Sequence, residues 1–109
     1  MEWSALVSCF FGGALLTNAV PHLVSGVTGR PFQTPFATPP GRGLSSSIVN
    51  VLWGVFNLAA GYVVLRRVDD VSWTNNADAA ALGLGVLAMG LFCAFHFGRL
   101  HGGQRSDHR

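Results

Sequence analysis

Three long stretches of the chain, residues 3–29, 43–65 and 79–98, contain no aspartate, glutamate, lysine or arginine. A transmembrane helix needs about 20 mostly apolar residues to cross a hydrocarbon core about 30 Å thick. Each stretch reaches this length, and together they leave little of the 109 residues for a separate soluble domain. The pattern therefore predicts an all-α polytopic membrane protein built as a bundle of three transmembrane helices.

The residues at the ends of these stretches set the expected bounds. We expect helices over residues 3–27, 45–66 and 77–98 in a single membrane domain, with a proline-rich loop over 29–43 and a polar tail over 99–109 that is mobile from residue 104 onward. Serines at 45–47 offer an N-cap for the second helix, and Arg66 is a cation suited to its C-terminal end. Pro21 removes a backbone hydrogen bond near the end of the first helix and predicts a kink there.

The composition agrees with membrane insertion. Half of the residues are hydrophobic and only 11% are charged, whereas a soluble domain carries about 25% charged residues. Most of the surface is therefore expected to face lipid or other helices. The formal net charge of +2, without any basic run, argues against a nucleic-acid partner.

The arginines predict the orientation. With three spans, the loop over 29–43 shares one membrane side with the C-terminal tail, and the N-terminus shares the other side with the loop after Arg66. The first side holds the larger set of arginines, namely Arg30, Arg42, Arg99, Arg105 and Arg109. The second side holds only Arg66 and Arg67, so the positive-inside rule predicts an external N-terminus and a cytoplasmic C-terminus. We expect an integral protein of the bacterial inner membrane, with Trp3 and Trp73 in an interfacial belt on the outer side.

The loop after the first helix is rich in proline, with four prolines among residues 31–40. This spacing excludes helix and favours extended, polyproline-like backbone. One interpretation is a cytoplasmic collar on the membrane surface, with Phe32 and Phe36 dipped into the headgroup region. The alternative is a docking segment or a lid over a site.

Each predicted helix carries one stripe of small or polar residues. On the second helix the stripe consists of Asn50, Gly54, Asn57 and Gly61. On the third it consists of Ala77, Ala81, Gly85, Ala88, Phe92 and His96, and on the first of Ser8, Leu15, Asn18 and His22. Small residues let helices approach closely, and asparagine forms hydrogen bonds between them. Because three helices alone should not cover these stripes, the pattern predicts a homo-oligomer or a small subunit of a larger membrane assembly.

Four polar residues, spread over the three helices, are also predicted to lie at a similar depth in the membrane. Counted at 1.5 Å per residue, Asn18, His22, Asn50 and His96 fall in the cytoplasmic third of the bundle, beneath the proline-rich loop. Ionisable residues inside a membrane are candidate functional residues. Two imidazoles could ligate the iron of haem b, or one could hydrogen-bond a quinone. The simpler alternative is hydrogen bonding between helices. His101 and His108 are assigned to the tail and are not expected to act as ligands.

The sequence offers no catalytic residue, because the spans lack the GxSxG, HExxH and phosphate-loop motifs, and hydrolase chemistry is not expected. The first functional hypothesis is a structural or accessory subunit. In it, the layer of Asn18, His22, Asn50 and His96, which we call the Asn/His layer, locks the helices together, and the partners are membrane lipid and other membrane subunits. The topology is also similar to that of haem- and quinone-binding anchor subunits of respiratory dehydrogenases, and to that of one class of phage holins. The first similarity implies a haem- or quinone-binding anchor, for which the polar residues in the bundle offer His22 and His96, and the second implies a pore-forming oligomer.

Overall fold

The computed structural model describes residues 3–66 and 76–103. Its elements are the helices α1 (Trp3–Val27), α2 (Ser47–Arg66) and α3 (Asn76–His101) and the short strands β1 (Phe32–Gln33) and β2 (Leu44–Ser45). Each helix is long and apolar enough to cross a membrane. The prediction of an all-α fold with three helices of membrane-spanning length is confirmed.

Two helix bounds differ from the expected ones. α2 begins at Ser47 rather than Ser45, because Ser45 pairs in β2. Ser46 provides the predicted N-cap, its Oγ accepting a hydrogen bond from the Val49 N–H at 3.2 Å. α3 continues to His101, so residues 99–101 are helical and do not belong to a tail. The predictions for residues 67–75, including Trp73, and for residues 104–109 lie outside the described residues.

α1 is the central helix of the bundle. It is one continuous helix through Pro21, and both α2 and α3 pack against it while making little contact with each other. Adjacent glycines of α1 face the two neighbours, because Gly12 lies against Leu65 of α2 and Gly13 against Leu82 of α3. The backbones therefore approach closely on both sides of α1.

This central position decides how much of each stripe one chain covers by itself. All four residues of the α2 stripe, Asn50, Gly54, Asn57 and Gly61, are buried against α1 within one chain. On α3, Gly85 is buried against the Phe10 backbone and Ala81 is half-buried, whereas Ala88 and Phe92 are exposed. One chain therefore covers the whole α2 stripe but only part of the α3 stripe, and the expected homo-oligomer or larger assembly stays a prediction.

Residues 28–46, which we call the hairpin, connect α1 to α2. Gly29, with φ of 77°, ends α1 in a Schellman motif in which the Arg30 N–H donates to the Ser25 carbonyl at 2.9 Å. β1 and β2 then pair antiparallel, with Phe32 opposite Ser45. The backbone between the strands forms turns, so the predicted polyproline-like extension is limited to the short strands.

The two phenylalanines of the hairpin have different environments. Phe36 is 57% exposed, but Phe32 is only 9% exposed and packs inside the protein. The predicted insertion of both rings into headgroups is therefore wrong for Phe32. Phe32 is the first residue of β1, and the pairing of β1 with β2 places its ring against the helices. The local sequence could not indicate this pairing.

Candidate functional site

The polar residues singled out in the sequence gather where α1 ends, α2 begins and α3 ends. We call this part of the molecule the hairpin end of the bundle. His22 of α1 and Asn50 of α2 are in direct contact, with 2.7 Å between His22 Nδ1 and Asn50 Oδ1. Asn18 and His96 lie nearby but bind other partners. The four predicted residues thus share one region without forming a single hydrogen-bonded cluster.

Asn50 is the most connected of these residues and is fully buried. Its Nδ2 lies 3.1 Å from the Phe32 carbonyl, 3.1 Å from the Ser45 carbonyl and 3.0 Å from the Ser46 carbonyl. Carbonyl oxygens only accept hydrogen bonds, so this atom is the amide nitrogen and the Asn50 oxygen faces His22. Neutral His22 therefore carries its proton on Nδ1 and keeps Nε2 as an acceptor.

Asn18 belongs to a second polar contact deeper in the bundle. Its Nδ2 donates to Asn57 Oδ1 at 3.1 Å, which joins α1 to α2. Its Oδ1 is 3.8 Å from the Cys93 sulfur of α3. Asn57, predicted as a packing residue, thus also takes part in the hydrogen bonding between helices.

Both histidines of α3, His96 and His101, form hydrogen bonds to the hairpin. His96 Nε2 donates to the Gly41 carbonyl at 2.6 Å, and the φ of 74° at Gly41 is a conformation that glycine adopts without steric cost. His101 Nε2 donates to Gln33 Oε1 at 2.9 Å. The assignment of His101 to the tail is wrong, because α3 extends to His101 and brings it within hydrogen-bonding distance of Gln33 in β1.

Aromatic rings fill the space between these hydrogen bonds. The Phe32 ring centroid lies 4.6 Å from that of Phe97, 5.5 Å from that of His22 and 5.3 Å from that of His101. Phe97 also contacts His96, at 5.1 Å between centroids. Phe32 and Phe97 therefore form an apolar cluster that separates the histidines of α1 and α3.

A cavity of about 320 Å³ lies beside this cluster, bounded by all three helices and the hairpin. Asn18, His22 and His96 line it, whereas Asn50 supports His22 from outside the lining. The apolar part of the wall consists of Pro35, Trp53, Met89, Phe92 and Phe97.

Phe92 belongs to the predicted stripe of α3, but sequence reasoning missed Trp53, Met89 and Phe97, although one signal for Trp53 was present. Trp53 lies one helical turn from both Asn50 and Asn57, so it borders the polar stripe of α2. Among residues 3–66 and 76–103, its buried Nε1 finds no hydrogen-bond partner.

Comparison with known proteins gives no match, whether to a family model, to a curated protein or to a solved structure.

Proposed function

We propose that this chain is an integral membrane protein with a structural or accessory role, whose Asn/His layer locks the three helices and fixes the hairpin at one membrane face. The observation that carries the proposal is the set of hydrogen bonds to the hairpin. Asn50 of α2 donates to the Phe32 carbonyl, and His96 and His101 of α3 donate to Gly41 and Gln33. His22 of α1 donates to Asn50 and completes the attachment.

The length of the hairpin supports a role beyond connecting two helices. Connections between packed helices usually have 2–8 residues, and much longer ordered ones are usually functional. Fixing the backbone costs about 1–2 kcal/mol per residue. A connection that only joins α1 to α2 has no need of this ordering, so the attachment of residues 28–46 to α2 and α3 indicates that the hairpin conformation itself matters.

The outer surface of the hairpin suits contact with another membrane component. Phe36, Pro39 and Pro40 are exposed together with the cations Arg30 and Arg42. An apolar surface flanked by cations is suited to an anionic lipid surface or to another membrane subunit. We therefore propose that the protein works within a larger membrane assembly, either a homo-oligomer or a complex with other subunits.

The alternatives have less support. A pore lined by the α2 stripe requires Asn50 and Asn57 to face water, but both are buried, and both form hydrogen bonds to α1. Axial ligation of haem by His22 and His96 requires a macrocycle between their rings. Phe97 contacts both rings and would have to be displaced. Within residues 3–66 and 76–103, no three His, Cys, Asp or Glu side chains form a group that could hold a metal ion.

Hydrogen exchange in lipid nanodiscs tests the proposal. In the wild-type protein we expect slow amide exchange at residues 32–34 and 41–45. Asn50→Ala should accelerate exchange throughout the hairpin, because it removes the bonds to Phe32 and Ser45. The matched control Asn57→Ala removes an asparagine from the same helix face but leaves the hairpin bonds intact. Rapid hairpin exchange in the wild-type protein would overturn the proposal.

A further inference from the structure

A second cavity, with a volume of about 250 Å³, lies between the hairpin and the last turns of α3. It is lined by Arg42 of the hairpin and by His96, Arg99 and Leu100 of α3. Two of these four side chains are guanidinium groups, which stay charged at every physiological pH. The volume is below the usual range for sites that enclose a whole small molecule. The space therefore suits a small anionic group.

The cations of this cavity have no counter-ion in the part of the chain that the structure describes. Among residues 3–66 and 76–103, the one carboxylate side chain belongs to Asp78, in the first turn of α3. At 1.5 Å per residue, it lies about 30 Å along the helix axis from Arg99. Neither Arg42 nor Arg99 forms an ion pair with a described residue. The positive charge at the hairpin end is therefore available to an anion from outside these residues.

The hairpin holds Arg42 in place beside α3. The Arg42 backbone N–H donates to the Pro39 carbonyl at 3.0 Å. The preceding residue, Gly41, accepts the hydrogen bond from His96 Nε2 at 2.6 Å. The contact that attaches the hairpin to α3 thus also brings Arg42 and Arg99 to the same cavity.

An exposed apolar stripe of α3 leads to this cavity. Leu91 and Phe95 precede Arg99 by two turns and by one turn on the same helix face, and they are 62% and 56% exposed. The Arg99 guanidinium carbon lies 5.5 Å from the centroid of the Phe95 ring. The stripe suits an acyl chain, and the cavity beyond it suits an anionic group. A phospholipid joins these two parts in one molecule.

We propose that this cavity binds the phosphate group of an anionic phospholipid, with Arg42 and Arg99 as its cations and an acyl chain along the exposed stripe of α3. A guanidinium group can donate two parallel N–H bonds to two phosphate oxygens. Basic pockets between membrane helices are suited to anionic headgroups for this reason. The inference rests on the proposed function, because the hairpin must stay attached to α3 for Arg42 to line the cavity.

Titration of the full-length protein in a neutral detergent tests this proposal. Short-chain phosphatidylglycerol should raise the Tm saturably, because a ligand that binds the folded state stabilises it. Phosphatidylcholine with the same chains carries a phosphate but no net charge, and it should give a much smaller shift. Inorganic phosphate at the same concentration should give no shift, since it has no acyl chain to pack on α3.

Arg42→Gln and Arg99→Gln should each weaken the binding of phosphatidylglycerol about fivefold, the effect of losing about 1 kcal/mol per arginine near an anionic lipid surface. Both side chains are exposed, so the variants should keep the Tm of the lipid-free protein. Arg30→Gln is the matched control, because Arg30 lies in the same hairpin but does not line the cavity. Arg66→Gln is a second control, since Arg66 lies 5.9 Å from the centroid of the Tyr62 ring at the far end of α2. Both controls should bind the lipid as the wild-type protein does.

Three results would overturn the inference. Equal Tm shifts with phosphatidylglycerol and phosphatidylcholine would show that the net charge of the lipid is not recognised. An equal shift with inorganic phosphate would show that a free anion, and not a lipid, is the ligand. An equal loss of affinity in Arg30→Gln or Arg66→Gln would indicate general attraction between cations and lipid instead of a site.

The exchange experiment separates this inference from the proposed function. Arg42→Gln and Arg99→Gln leave the hydrogen bonds from Asn50, His96 and His101 in place, so the hairpin should keep its slow exchange in both variants. Slow exchange without a lipid-specific Tm shift would defeat this inference alone. Rapid hairpin exchange in the wild-type protein would defeat the proposed structural role and remove the reason for Arg42 to stay at the cavity.

Discussion

His22 Nδ1 and Asn50 Oδ1 lie 2.7 Å apart, and this hydrogen bond joins the last part of α1 to the first turn of α2. The Nδ2 of the same Asn50 amide donates a hydrogen bond to the Phe32 carbonyl of the hairpin. One fully buried side chain therefore links two helices and the segment between them. Loss of Asn50 would affect all three at once.

Asn50→Ala should lower the free energy of unfolding by about 3 kcal/mol. The substitution leaves the His22 N–H and several carbonyl groups without their partner, and each unsatisfied buried group costs about 1–3 kcal/mol. Unfolding in a mixture of mild and denaturing detergents, followed by circular dichroism, measures the change.

Asn57→Ala is the control for this experiment. Asn57 is also buried on α2. Its side chain accepts one hydrogen bond from another helix, donated by the Asn18 side chain of α1. Hydrogen bonds between membrane helices average about 0.6 kcal/mol, so we expect a loss near 1 kcal/mol or below. Equal losses in the two variants would contradict the central role assigned to Asn50.

Phe32→Ala should destabilise the protein strongly, by about 3 kcal/mol, because the ring packs against His22, Phe97 and His101. Phe36→Ala in the same hairpin removes a largely exposed ring and should cost less than about 1 kcal/mol. Comparison of the two Tm values checks the prediction. A larger effect at Phe36 would indicate that the hairpin lies on the bundle in the opposite orientation.

Gly85→Ala should lower stability by about 2 kcal/mol, because a Cβ at this position would collide with the Phe10 backbone, which cannot rotate away. Gly83→Ala on the same helix is the control, since a Cβ there meets no atom within 4 Å. It should be neutral or stabilising by up to about 1 kcal/mol through helix propensity. A monomer that stays folded with Gly85→Leu, while an oligomer dissociates, would show that this face contacts a partner instead of α1.

Cysteine labelling in intact cells tests the orientation predicted from the arginines. Thr38→Cys in the hairpin and Gln104→Cys near the C-terminus should react with an impermeant maleimide only after the cells are permeabilised. Ser4→Cys at the start of α1 should react from outside. Labelling of the first two positions from outside would reverse the assigned topology.

Periodicity predicted the parts of the structure that depend on one helix at a time. The buried face of α2, from Asn50 to Gly61, follows directly from its spacing, and so does the N-cap at Ser46. The coincidence of His22, Asn50 and His96 at one end follows from counting residues along each helix.

Contacts between distant segments were not predictable in this way. His101 was assigned to the tail because glycines follow it, and only the path of the hairpin brings Gln33 within its reach. Trp53 and Phe97 resemble ordinary membrane-facing residues until the rotation of each helix is known. The pattern also could not indicate that α1 is central and covers the whole α2 stripe within one chain.

The central position of α1 has a consequence for the order of assembly during synthesis. Because α1 is made first and both other helices pack against it, each later helix finds its main partner already in the bilayer. Residues 3–66 can form the contact between α1 and α2 and pair β1 with β2 before α3 emerges. His96 and His101 are synthesised last, so the attachment of the hairpin and the wall of the cavity are complete only when the third helix has packed against α1.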